Sequence, residues 1–117
     1  MGIKNNKTYN CPVELALDMI GGKWKALILW NLMDSTKRFS ELKRAIPKCT
    51  EKMLVQQLRD LEGAGLVERR VYPEVPPKVE YSMSTFGKRI VPVLGALCDF
   101  GKDYAGRFKI RLGATSK

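Results

Sequence analysis

The sequence predicts a mainly α-helical fold that carries one small β-hairpin, in the order α-α-β-α-α-β-β-α. Three observations predict it. Over residues 23–33 apolar side chains point in nearly every helical direction, the pattern of a helix buried on several sides. After Thr50, the leucines Leu54, Leu58 and Leu61 recur at helical spacing with polar side chains between them. Two alternating runs, 67–72 and 79–84, flank the stretch 73–78 with its Pro73, Pro76 and Pro77. Proline cannot join a central ladder, so that stretch belongs in the hairpin tip.

Each element has a local cause. Residues 1–10 lack periodicity and read as a flexible arm. Pro12 suits the first position of a helix, which runs through Leu15, Ala16 and Met19 to the breaker Gly21-Gly22. The second helix, 23–33, stacks Trp24, Leu27, Ile28 and Leu32 in one stripe, while Ala26, Leu29, Trp30 and Met33 make the rest of its surface apolar. It is therefore the central core helix, and its tryptophans read as packing residues. Arg38-Phe39 supplies a short extended piece. Ser40 is placed to cap a third helix over 41–46, with Glu41 in its first turn. A turn at Pro47-Lys48-Cys49 leads to a fourth helix over 51–64, capped by Thr50 and ended by Gly65. Ser84 or Thr85 starts a last long helix over 85–109, which Pro92 should kink or delay. The tail 113–117 reads as disordered. The whole chain, 1–117, is one domain.

A helix-turn-helix followed by a hairpin, here 38–84, is a winged helix-turn-helix, and each part has a physical task at a DNA groove. Placing successive residues of the fourth helix 100° apart separates its leucines from Lys52, Gln56 and Arg59, with Val55 at the edge. Such a helix locks into its neighbour through one face and offers donors to base edges and phosphates through the other. Arginine and lysine donate to guanine, glutamine pairs with adenine, and Val55 suits a thymine methyl. Arg69, Arg70 and Lys78 lie on or near the hairpin, which would reach phosphates or the adjacent minor groove. Alternation puts Arg69 on the side of Val67 and Val71, leaving Arg70 as the expected contact. The candidate DNA contacts are thus Ser40, Lys43, Thr50, Lys52, Val55, Gln56, Arg59, Arg70 and Lys78. Along the last helix Ile90, Leu94, Leu97, Gly101, Tyr104 and Phe108 recur at about 3.5-residue spacing. That is more apolar surface than a small domain readily covers, so a second copy is expected to pack there, giving a homodimer on a palindromic operator.

Charge agrees with this reading. The formal net charge is +9, which favours a polyanionic partner. From Lys37 to Lys52 there are six basic and two acidic side chains, so the excess concentrates in the proposed reading head. Other classes fare worse. The chain has no histidine, no Cys-x-x-Cys pair and no glycine-rich phosphate loop, so no enzyme, metal site or cofactor is expected. A metal-responsive repressor lacks its ligand clusters, and a thiol-redox enzyme built on Cys11 lacks a resolving partner nearby. No apolar run approaches the roughly 18 residues of a membrane span. No signal peptide or myristoylation pattern is visible, so a cytoplasmic location without membrane contact is expected. The alternative from another class is a winged-helix module that binds protein rather than DNA.

The chain resembles the HxlR family of bacterial and archaeal transcription regulators, within the MarR-like winged-helix group. The resemblance rests on Cys11-Pro12, Gly21-Gly22-Lys23-Trp24, Phe39-Ser40-Glu41-Leu42, Lys52-Met53-Leu54 through Gln57-Leu58-Arg59-Asp60-Leu61-Glu62, Gly65-Leu66-Val67, and the run from Tyr72 through Pro76-Pro77-Lys78 to Ser82. It departs at Ser84, where threonine is usual, and at Phe100, where tryptophan is common. The resemblance implies a dimeric repressor or activator whose reading helix is 50–64. It also places Cys11 at the position of a thiol that senses oxidants or electrophiles in many members. A helix N-terminus favours negative charge, which suits a sensing sulfur. Cys49, in the turn before the reading helix, is a second and weaker candidate, more readily read as an ordinary loop residue. Cys98 reads as a small core hydrophobe.

Overall fold

The computed structural model describes residues 8–113. Most of the expected arm and most of the expected tail lie outside the described residues. Helix α1 spans Pro12–Ile20, α2 Trp24–Leu32, α3 Phe39–Ala45, α4 Glu51–Gly63 and α5 Val91–Phe108. Strands β1 (Lys37–Arg38), β2 (Val67–Tyr72) and β3 (Lys78–Met83) form one antiparallel sheet in the order β1-β3-β2. The succession is the expected α-α-β-α-α-β-β-α.

The core gathers on α2, as its pattern requires. Ile28, Leu29 and Leu32 pack with Leu42 and Ile46 of the α3 segment, Leu54, Leu58 and Leu61 of α4, and Val67 and Met83 of the sheet. Trp24, Ala26, Trp30 and Met33 are half-buried against this cluster. Leu27 is exposed, because the side of α2 that it occupies faces an open cleft beside α5.

Several boundaries differ from expectation. Ser40 does not cap α3. The helix begins at Phe39, two residues before the expected start, and the Arg38 N–H donates to Glu41 Oε1 at 2.7 Å, closing the first turn from the other direction. The first strand is accordingly Lys37–Arg38, not Arg38-Phe39, because Arg38 pairs with Glu80 while Phe39 is already helical. Strand β3 starts at Lys78, which pairs with Tyr72. The last helix is delayed rather than kinked. A 3-10 turn covers Gly87–Ile90, and α5 follows with Pro92 in its first turn, where the missing N–H costs nothing.

Two joints fix the orientation of α4. At its start Thr50 Oγ1 accepts from the Met53 N–H at 3.1 Å. At its end Gly65 has φ +81, and the N–H groups of Leu66 and Gly65 donate to Leu61 and Glu62 carbonyls at 3.0 Å. This is a Schellman ending, which needs a residue at ease with positive φ. Ser84 then ties the sheet to the same corner: its hydroxyl donates to the Gly65 carbonyl at 2.7 Å and accepts from the Gly87 N–H at 2.8 Å. A Cβ on Gly87 would fall 2.1 Å from the Leu66 carbonyl oxygen. Gly87→Ala is therefore expected to force this corner apart and lower the melting temperature by several degrees, as for about 1–3 kcal/mol of overpacking.

Candidate nucleic-acid interface

Helix α4 divides as its sequence demands. Leu54, Leu58 and Leu61 are almost wholly buried, while Lys52, Val55, Gln56 and Arg59 are exposed on the other side. Gln56 Nε2 donates to Asp60 Oδ1 at 3.0 Å, and Asp60 also faces Lys25 at 3.7 Å. A single carboxylate thus holds the glutamine along the helix. Ser40 is exposed in the first turn of α3. Lys43 is half-buried, and its ammonium donates to the Pro47 carbonyl at 3.0 Å, bracing the turn between the two helices.

The hairpin separates its charges onto two faces. Arg70, Tyr72, Lys78 and Glu80 share one face. Lys78 pairs with Glu80 at 3.5 Å and lies 4.7 Å from the Tyr72 ring centroid. Arg70 stacks on the same ring at 5.7 Å, and the Tyr72 hydroxyl donates to Glu80 at 3.0 Å. Lys78 is thereby neutralised and held, whereas Arg70 stays exposed. The opposite face carries Val67, Arg69 and Val71, the parity expected. Burial fades along this face: Val67 is 3% exposed, Val71 50% and Val75, at the tip, 100%. The hairpin outruns the core, so Arg69 is not covered. Instead it opens into a 360 Å³ groove shared with Val55, Leu58, Arg59, Glu62 and Tyr81. Sequence alternation found the correct side for Arg69 but could not show that α4 turns Arg59 toward the same space.

The long helix α5 also has two faces. Leu94 is buried in the protomer's own core and Ile90 is half-buried, so the expectation of Leu94 as a partner contact is corrected: α2 already covers it. Leu97, Gly101, Tyr104 and Phe108 remain exposed, together with Phe100 at 68%. The rings of Phe100, Tyr104 and Phe108 form a ladder with centroids 6.2 and 4.6 Å apart. Helix α1 buries none of its residues and exposes Val13, Leu15 and Leu17.

The three thiols are free and sit in different surroundings. Cys11 is exposed at the N-cap of α1, where its carbonyl accepts from the Glu14 and Leu15 N–H groups at 3.1 and 3.3 Å. Glu14 folds back onto the Asn10 N–H at 2.6 Å. Cys49 lies in the turn between α3 and α4, as expected, but is fully buried there. Burial pushes its thiol up from the ordinary range, against a smaller opposing pull from the Lys43 ammonium. Since the thiolate is the reactive species, iodoacetamide is expected to label Cys11 in the native protein well before Cys49; mass spectrometry of tryptic peptides reads the order. Cys98 is half-buried and lines the cleft between α2 and α5 with Ala26, Leu27 and Trp30, so it is less enclosed than a core residue. Among the described residues no group of three or more His, Cys, Asp or Glu could hold a metal ion, and no helix is long and apolar enough to cross a membrane.

A helix-turn-helix with an attached wing and a charged outer face on its second helix is the architecture expected of the family named from sequence. The HxlR-like helix-turn-helix model matches residues 19–109. The chain belongs to the HxlR-like family. It is thus a helix-turn-helix transcriptional regulator and not an enzyme. A regulator of Methanothermobacter thermautotrophicus, named only as an HTH-type transcriptional regulator, is 55% identical over 96 residues, covering 82% of this chain and 73% of its own. The reduced form of the redox regulator HypR superposes with a TM-score of 0.81 at 42% identity, covering 86% of this chain and all of that one. Its oxidised form gives a TM-score of 0.77 at 47% identity over 80% and 96% of the two chains. The HxlR-like match spans both the helix-turn-helix with its wing and the long last helix.

Proposed function

We propose that this HxlR-like regulator is a dimeric, cytoplasmic repressor that reads a palindromic operator in double-stranded DNA and is released when Cys11 is oxidised or alkylated. The observation that carries the reading is the division of α4, with three leucines locked inside and Lys52, Val55, Gln56 and Arg59 presented together outside. A helix held so firmly along one side presents the other in a fixed register, which base readout requires. Thr50 caps its start, Ser40 adds an exposed hydroxyl from the first turn of α3, and Lys43 braces the turn that sets its angle. Arg70 and Lys78 extend the contact along the wing; Lys78 must first exchange Glu80 for a phosphate.

A partner is supported by the aromatic ladder of α5 and the uncovered apolar side chains of α1. Two copies about a twofold axis would set their reading helices about one DNA turn, roughly 34 Å, or a multiple of it, apart. The exposure of Cys11 and the similarity to a regulator known in reduced and oxidised forms support the switch. Alkylation joins the sulfur to an electrophile. Disulfide formation joins it to a second thiol, while the oxidant takes up two electrons and two protons.

The test is a titration of the reduced protein against the DNA upstream of its own gene across a range of salt, repeated with diamide. Log affinity should fall linearly with log salt, at about −0.9 per neutralised phosphate. Lys52→Ala and Arg59→Ala should each weaken operator binding by about 1–3 kcal/mol while the melting temperature stays nearly constant. Absence of salt-dependent duplex binding would favour the protein-interaction module instead. Cys11→Ser should bind like the wild type when reduced and ignore diamide; continued release of the variant would move the switch to Cys49 or Cys98.

A further inference from the structure

The groove between α4 and the hairpin joins Arg59, already placed on the outer face of α4, to two side chains that the DNA-reading proposal does not use, Arg69 and Tyr81. Arg59 and Arg69 come from different elements, yet both line it. Neither forms an ion pair among the described residues. Tyr81, the cross-strand partner of Arg69, lines it as well, and its hydroxyl has no hydrogen-bond partner among them. Two guanidiniums facing one space repel each other, and Glu62, the carboxylate that lines the groove, forms an ion pair with neither. At 360 Å³ the groove holds about twelve waters' share of liquid volume, near 30 Å³ each, so there is room for a phosphate group. Its aliphatic wall, Val55 and Leu58, belongs to the same helix that would lie in the major groove.

We propose that Arg59 and Arg69, with the Tyr81 hydroxyl, clamp a single backbone phosphate of bound DNA and so fix the wing relative to the reading helix. The assignment rests on the DNA-binding reading above and adds to it a position, Arg69, and a role. Guanidinium is suited to this because its donors lie in a planar fork that matches phosphate oxygens two at a time. Phosphate contacts set register without carrying sequence information. Glu62 also lines the groove and bears the wrong charge for an anion. In free protein it offsets the two arginines; in the complex it opposes the phosphate.

The experiment measures operator and random-sequence duplex affinities across salt for wild type, Arg69→Ala, Arg69→Lys, Arg59→Ala/Arg69→Ala and Glu62→Gln, with thermal melting of each. Arg69→Ala is expected to weaken both duplexes by the same factor, roughly tenfold, with an unchanged melting temperature. Lysine should recover part of the loss, because it keeps charge but not the fork. The double variant should lower the salt slope by about 0.9, the value for one phosphate and not two. Glu62→Gln should tighten binding. Wild-type affinity and slope in Arg69→Ala, with wild-type protein still binding in a salt-dependent way, would overturn the clamp and leave the DNA-binding reading standing. A loss confined to the operator would also overturn it, by making Arg69 a base contact. No salt-dependent binding by the wild type would overturn both.

Discussion

Leu58→Ala is expected to cost about 2–5 kcal/mol of folding stability. Leu58 is 1% exposed and stands midway between Leu54 and Leu61 on the buried side of α4, so its removal opens a cavity where α4 meets the rest of the core. The surroundings can collapse little. Thr50 caps one end of the helix and the Gly65 ending ties the other to Ser84 and the sheet. For a domain of this size the loss corresponds to a drop in melting temperature of roughly 10 °C or more. Urea unfolding should show a lower midpoint at an unchanged slope. Val55, one helical step round and exposed, supplies the control: Val55→Ala should stay within about 0.5 kcal/mol of wild type. If the two variants destabilise equally, the two faces of α4 are assigned the wrong way round.

Helix α4 was legible because its signals are local. Thr50 before Glu51, leucines at positions 54, 58 and 61, and Gly65 after the last turn each follow from the chemistry of one helix, and the structure has them in those roles. That Pro92 would kink or delay α5 was legible for the same reason, and the structure has the delay. What failed depended on contacts between elements. Ser40 has the right side chain for a cap, but Arg38 is held extended by pairing with Glu80, so the helix starts at Phe39. Leu94 has the same spacing as Leu97 and Tyr104. Only the position of α2 decides that Leu94 faces inward while the others do not. Alternation puts Arg69 on the side of Val67 and Val71, which favours Arg70 as the contact. The hairpin runs past the core, however, and the space beside Arg69 is bounded by α4. Cys49 looked like a loop thiol because it follows Pro47-Lys48, yet the turn folds it fully inside.

Tyr104→Glu is expected to separate the proposed dimer and, through that, to lower operator affinity by about 10²–10⁴-fold. The tyrosine stands in the middle of the α5 ring ladder, 6.2 Å from Phe100 and 4.6 Å from Phe108 by ring centroids, and is itself half exposed in the single chain. A carboxylate there costs the isolated protomer little, since solvent reaches it. Against a partner's apolar helix the same charge would be desolvated without a counter-ion, a strongly unfavourable exchange. The loss of DNA affinity follows from geometry rather than from any DNA contact. Two linked reading helices bind the second half-site at high effective concentration, whereas two free protomers each bind only one. Sedimentation should show a monomer with unchanged circular dichroism, and titration should show weak binding that no longer depends on the spacing of half-sites. A variant that remains dimeric would transfer the association to α1, where Val13, Leu15 and Leu17 offer the other uncovered apolar surface. A variant that becomes monomeric yet binds the operator as tightly as the wild type would show that one copy suffices, and the palindromic reading would fall with it.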